Sequence, residues 1–96
     1  MKPSDYIRKG WCQGYMARDS NGAPCDPEWQ GATCWCLWGA LYKAYGEEKI
    51  DIREKVVTKL YSKLQCKEHW SSLGQWNDNP SRTQQDVIAL LKSIGE

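Results

Sequence analysis

The sequence predicts an all-α fold: a compact helical domain of three to four helices around a buried central helix, with a small hairpin left open near residues 11–25. Three observations predict it. First, Cys34, Leu37, Trp38, Leu41 and Tyr45 recur at i, i+3, i+4, i+7 and i+11, the spacing of one helical face. The other side of that stretch holds Trp35, Cys36, Gly39 and Ala40, with Lys43 as its only charge; a helix apolar nearly all round is expected inside a fold. Second, Ile52, Val56, Leu60 and Leu64 recur at every fourth position, and Val87, Leu90, Leu91 and Ile94 form a shorter stripe. Third, each stripe follows a match to the capping box, Asp51-Ile52-Arg53-Glu54 and Ser81-Arg82-Thr83-Gln84, in which the first and fourth side chains satisfy each other's backbone N–H groups.

Taken in order, residues 4–9 predict a short first helix with Pro3 or Ser4 at its start and Gly10 as its stop. Residues 11–19 are ambiguous: Gly10 and Gly14 interrupt a helix, and the alternation Trp11, Gln13, Tyr15 suits an extended segment. Asn21-Gly22 predicts a turn, because both residues accept positive φ. Pro24 and Pro27 then disfavour helix just before them. The central helix has Thr33 or Asp26 as candidate N-cap, and Gly46 suits the left-handed position after its end. Residues 67–80 read as a polar loop with one helical turn around His69-Trp70.

The 96 residues fit a single domain, 1–96, able to bury one core without staples. Six Trp and five Tyr occur with no Phe, so the rings carry polar handles and belong at core edges and interfaces. Thirteen basic against twelve acidic residues leave no global field, so the charge balance argues neither for nor against nucleic acid. No stretch is apolar for long enough to span a membrane, and no secretory signal is visible before residue 5. Five cysteines in such a chain are expected as buried thiols rather than disulfides, and a cytoplasmic location is expected.

Gly10-Trp11-Cys12-Gln13-Gly14, Ala17-Arg18-Asp19, Gly22-Ala23-Pro24, Trp35-Cys36, Gly39-Ala40-Leu41, Trp76-Asn77-Asp78-Asn79-Pro80, Arg82-Thr83 and Val87 form an ordered set. It resembles an uncharacterised family of short bacterial and phage proteins known only as a domain of unknown function. The resemblance covers roughly residues 8–92. It implies a small intracellular protein, often carried on phage or mobile elements, and it implies no reaction.

Within that set, Arg18, Asp19, Asn77, Asp78, Arg82 and Thr83 are candidates either for a structural network or for a ligand site. In the second case Arg18 and Arg82 would hold an anion through their forked donors. Trp11, Trp29, Trp70 and Trp76 lie outside the central helix and are candidates for a partner surface or a homodimer. Lys55, Lys59, Lys63 and Lys67 recur at every fourth position; like charges so placed weaken a helix slightly and suit an acidic partner, a phosphate backbone or a solvated face. No aromatic is interleaved to stack bases, so nucleic acid is less favoured. No metal is expected, since Cys34 and Cys36 on a helix would point apart; nor is any cofactor. A hydrolase or transferase would have to use Cys36 or His69.

The function expected is therefore binding without catalysis. A host bacterial protein is the expected partner, and an inhibitor of bacterial immunity fits the small size of the chain and the phage or mobile-element carriage that the resemblance implies. The alternatives are a homo-oligomeric sponge for a nucleotide-like anion and the Cys/His-dependent enzyme.

Overall fold

The computed structural model describes residues 1–96. Five helices and a two-stranded antiparallel sheet follow one another as α1 (Pro3–Lys9), β1 (Ala17–Asp19), β2 (Ala32–Trp35), α2 (Leu37–Tyr45), α3 (Ile50–Leu64), α4 (Trp70–Asn77) and α5 (Gln84–Ser93). The all-α expectation is thus corrected to a mixed helix-and-sheet fold. Within residues 11–25 a small hairpin does form: the Asp19 N–H donates to the Ala23 carbonyl at 2.9 Å, the Cys25 N–H donates to the Ala17 carbonyl at 3.0 Å, and Arg18 is bridged to Pro24, while Ala17–Asp19 also pairs as a strand with Ala32–Trp35. Ala17 faces Trp35, Arg18 faces Cys34, and Asp19 faces Ala32, with a bulge between Arg18 and Asp19. The Asn21-Gly22 turn forms as expected: Gly22 has φ +80°, and the Asp19 carboxylate accepts from the N–H groups of Asn21 and Ala23.

Strand β2 takes the first residues of the stretch read as central helix. Cys34 and Trp35 are extended, and α2 begins at Leu37, with Cys36 rather than Thr33 or Asp26 as its N-cap. The Cys36 sulfur accepts from the Gly39 N–H at 3.3 Å. Helix α2 is still central, packing on α1, α3, α4 and β2. Leu37, Gly39, Ala40 and Leu41 are buried, whereas Trp38 and Tyr42 are only half-buried. A Cβ at Gly39 would fall on the Met16 carbonyl oxygen, so only glycine lets β1's approach run this close to the helix.

Helix α3 keeps most of its expected stripe, whereas α4 is longer than the single turn expected around His69-Trp70. Helix α3 buries Arg53, Val56 and Leu60, and Ile52 is 47% exposed. The guanidinium of Arg53 lies 4.1 Å from the Tyr42 ring centroid and donates to the Gly46 carbonyl at 3.0 Å. Lys49, not Asp51, stands at the N-cap. Residues 70–77, read as loop, form α4 with His69 as cap. Helix α5 is capped two residues later than expected, by Thr83 with Asp86 completing the capping box. The core contains Ile7, Ala17, Trp35, Leu37, Leu41, Leu60, Leu73, Val87 and Leu91 within a cluster of 14 buried residues. No helix is long and apolar enough to cross a membrane.

Candidate functional site

The residues of the ordered set converge on Asn77, which closes α4 and is fully buried. Its Oδ1 accepts from the Trp11 indole N–H at 2.8 Å and from the Leu37 backbone N–H at 3.0 Å. Its Nδ2 donates to the Cys12 carbonyl at 3.1 Å and to Asp78 Oδ1 at 3.0 Å. These four bonds use the whole capacity of a carboxamide. Around it, Gln13 donates to the carbonyls of Asn77 and Asn79, both at 2.9 Å, and Asp78 accepts from the Gly14 N–H at 3.0 Å. Loop 11–14, the start of α2 and the end of α4 are thereby tied together.

The two arginines of the set serve the same scaffold. Arg18 donates to the carbonyls of Gly22 at 2.9 Å and Gln13 at 3.2 Å, and its guanidinium lies 4.8 Å from the Tyr15 ring. Arg82 donates through Nε to the Trp76 carbonyl at 2.8 Å and covers the Trp76 ring at 3.9 Å. Neither faces Asp19 or Asp78 as an ion pair; the ion pair of the fold is Arg8–Asp5. Asp19 shapes the Asn21-Gly22 turn, and Thr83 caps α5.

Thiol chemistry is muted by burial. Cys36, against the α2 terminus, is pushed up to about 11 by desolvation, opposed by backbone N–H donors. Cys12 is pushed further up by desolvation and by the neighbouring Cys34 thiol. A thiol so placed stays protonated at neutral pH and is a poor nucleophile. His69 accepts from the Ser71 N–H at the other end of the α4 region, so Cys36 and His69 cap different helices. The geometric premise against zinc changes, since Cys34 lies on β2 rather than on a helix. Even so, no three His, Cys, Asp or Glu side chains form a metal-ligating group, and all five cysteines are free.

The tryptophans divide. Trp11 and Trp76 are half-buried within the scaffold, whereas Trp29 is 50% and Trp70 is 73% exposed. The Trp29 ring folds back over Gly31. Trp70 instead borders an apolar cleft of about 250 Å³ lined by Met16, Trp38, Tyr42 and Trp70. The cleft is built by three distant segments. Gly39 seats Met16 against α2, Trp38 and Tyr42 stand one turn apart with ring centroids 6.1 Å apart, and the Trp38 indole N–H donates to the Trp70 carbonyl at 2.9 Å. Trp38 and Tyr42 also line a neighbouring depression of about 330 Å³ with Arg53, Glu54, Val57 and Thr58.

Sequence reasoning placed Trp70 on a partner surface but missed Met16, Trp38 and Tyr42. Trp38 reads as part of the core face with Leu37 and Leu41, yet with Tyr42 it forms an i, i+4 pair set about 100° round the helix from them, and both are half-buried. Of the lysine stripe, Lys55, Lys59 and Lys63 are exposed on α3, and Lys67 lies past its left-handed cap at Gln65.

Fold and surface together define a small mixed-fold domain with an internal polar scaffold and one aromatic cleft. The chain belongs to a family of unknown function (DUF6197), whose model matches residues 4–95, in keeping with the resemblance read from its motifs. No curated protein and no solved structure matches it.

Proposed function

We propose that this protein is a non-catalytic binding module that engages a host bacterial protein through the cleft of Met16, Trp38, Tyr42 and Trp70. The observation that carries the reading is Trp70, a large apolar side chain left 73% exposed at the rim of a cleft lined only by apolar and aromatic residues. Exposed aromatics gathered at a concavity are the usual anchors of protein interfaces. Of the arginines that an anion sponge would need, Arg18 has both terminal nitrogens committed to backbone carbonyls and Arg82 is held through Nε and stacked on Trp76, and the high proton affinity of Cys36 counts against a thiol nucleophile. An inhibitor of bacterial immunity fits a binding module of this size.

The test is affinity capture from bacterial lysate with the wild-type chain and with Trp70→Ser and Met16→Asp, each checked for an unchanged unfolding midpoint. A discrete protein retained in stoichiometric amount by the wild type is expected to be lost with both variants. A central aromatic anchor contributes about 2 kcal/mol or more, roughly thirtyfold in affinity. Identical retention by all three chains refutes the cleft as the binding surface.

A further inference from the structure

We infer that the partner segment seated in the aromatic cleft is acidic: a short stretch with an apolar anchor side chain flanked by carboxylates that reach the lysines of α3. This rests on the cleft being the binding surface and specifies what enters it. The charge distribution carries the inference. From Ile50 to Lys67, α3 and the turn after it, the chain has five basic side chains and two acidic, Asp51 and Glu54, whereas the remainder has eight basic and ten acidic. A chain that is close to neutral as a whole is therefore polarised, with its positive excess on one helix and the turn after it.

The lysines are also uncommitted. Lys55, Lys59 and Lys63 are exposed along α3, and the ion pair of the fold lies elsewhere, at Arg8–Asp5. Asp51 and Glu54 share the helix surface with Lys55, Thr58 and Lys59, yet neither carboxylate comes within ion-pair distance of a lysine. Arg53 differs from the rest, since it is buried, stacked on Tyr42 and bonded to Gly46; it braces the cleft and is not a rim charge.

Cleft and lysines form one continuous surface. Trp38 and Tyr42 line both the cleft and the depression beside it. Glu54 and Thr58 line both that depression and the surface bearing Lys55 and Lys59. An extended or helical segment anchored between Trp38 and Trp70 thus runs along α3 within reach of the lysines. A second copy of this chain is a poorer occupant, because a two-fold contact presents the same face to itself and would bring this positive face against its own copy. Complementary rim charge acts on encounter and partner choice more than on the depth of the complex, so the lysines and the aromatics play separable parts.

The experiment uses the full chain and three synthetic fluorescein-labelled peptides of equal length. One carries a leucine anchor among Glu and Asp residues, one the same anchor among Ser and Gln, and one the acidic residues without the anchor. Binding is read by anisotropy and by quenching of tryptophan emission, in low salt and again at several times that ionic strength. The anchored acidic peptide is expected to bind at least about tenfold more tightly than either control. That advantage is expected to collapse in high salt and with Lys55→Glu/Lys59→Glu, while Trp70→Ser removes binding of both anchored peptides. Equal binding of the acidic and neutral anchored peptides overturns the acidic partner and leaves the cleft reading standing. Binding of the anchorless peptide as tight as the anchored one, unaffected by Trp70→Ser, overturns the cleft reading itself. A single-stranded oligonucleotide competing better than the anchored acidic peptide, or a concentration-dependent dimer in sedimentation, replaces the acidic segment with nucleic acid or with a second copy.

Discussion

Replacing Asn77 by alanine should destabilise the fold more than any other single polar change. The side chain is fully buried and leaves three groups outside α4 and its cap without partners: the Trp11 indole N–H, the Leu37 N–H and the Cys12 carbonyl. Each buried polar group left unpaired costs about 1–3 kcal/mol. Leu37 and Cys12 are buried and take that cost, while half-buried Trp11 can recruit water. The expected loss is about 3–5 kcal/mol, against a total near 5–14 kcal/mol for a domain of this length. Urea unfolding followed by far-UV circular dichroism and tryptophan emission measures it. Asn77→Asp is the companion, because it keeps shape while setting a carboxylate against the Cys12 carbonyl and the Asp78 carboxylate. That acid's folded pKa is raised above its unfolded value of about 3.9. The variant is therefore most stable at low pH and loses stability as pH rises through the folded pKa. An Asn77→Ala midpoint within about 1 kcal/mol of wild type, or a flat pH profile for Asn77→Asp, refutes the reasoning.

Three further outcomes are expected. Gly39→Ala drives a Cβ into the Met16 carbonyl oxygen, an overpacking cost of about 1–3 kcal/mol visible as a lowered melting temperature; an unchanged melting temperature contradicts the close approach of Met16 to α2. Arg53→Lys keeps the charge but not the planar stack on Tyr42, and a double-mutant cycle with Tyr42→Leu should report a coupling of about 0.5–2 kcal/mol, with zero coupling as the contrary result. Cys36, pushed up to about 11 by burial, keeps its proton in the folded chain where the unfolded thiol, near 9, has lost it. Stability should thus fall between about pH 9 and 11, by at most about 1.4 kcal/mol per pH unit from this group. Cys36→Ser should flatten part of that slope, and an identical slope in the variant shows that another group governs it.

The sequence was most legible where local pattern and burial coincide. Leu37 and Leu41 mark α2, Val56 and Leu60 mark α3, and Val87 and Leu91 mark α5, each by helical spacing. The sheet was hidden because its strands are short and its pairing non-local: three residues at 17–19 meet four at 32–35, too few for alternation to show. Trp35 and Cys36 then extend the helical pattern of α2 backwards, which disguised β2. At the start of α3, Arg53, stacked on Tyr42, takes the buried place expected of Ile52, while Val56 and Leu60 keep theirs. Helix α4 was read as loop because it buries only Leu73 and Asn77, and nothing in a Trp-Asn-Asp triplet announces a buried carboxamide with four partners. The motif residues could be listed as a set, but whether Arg18 and Arg82 face carbonyls or a ligand depends on contacts across the whole chain. Trp70 is exposed, outside the core, and the cleft it borders needs Met16 from the loop before β1.

The most direct test of binding through the cleft is photo-crosslinking in bacterial cells, with benzoylphenylalanine placed at Trp70 in one protein and at Ala89 in another. Ala89 is exposed on α5, an element that does not line the cleft. One discrete adduct of the same mass, formed from position 70 and absent from position 89, is the predicted result. Adducts formed equally from both positions, or from 89 alone, contradict the claim that this cleft is where the protein meets its partner.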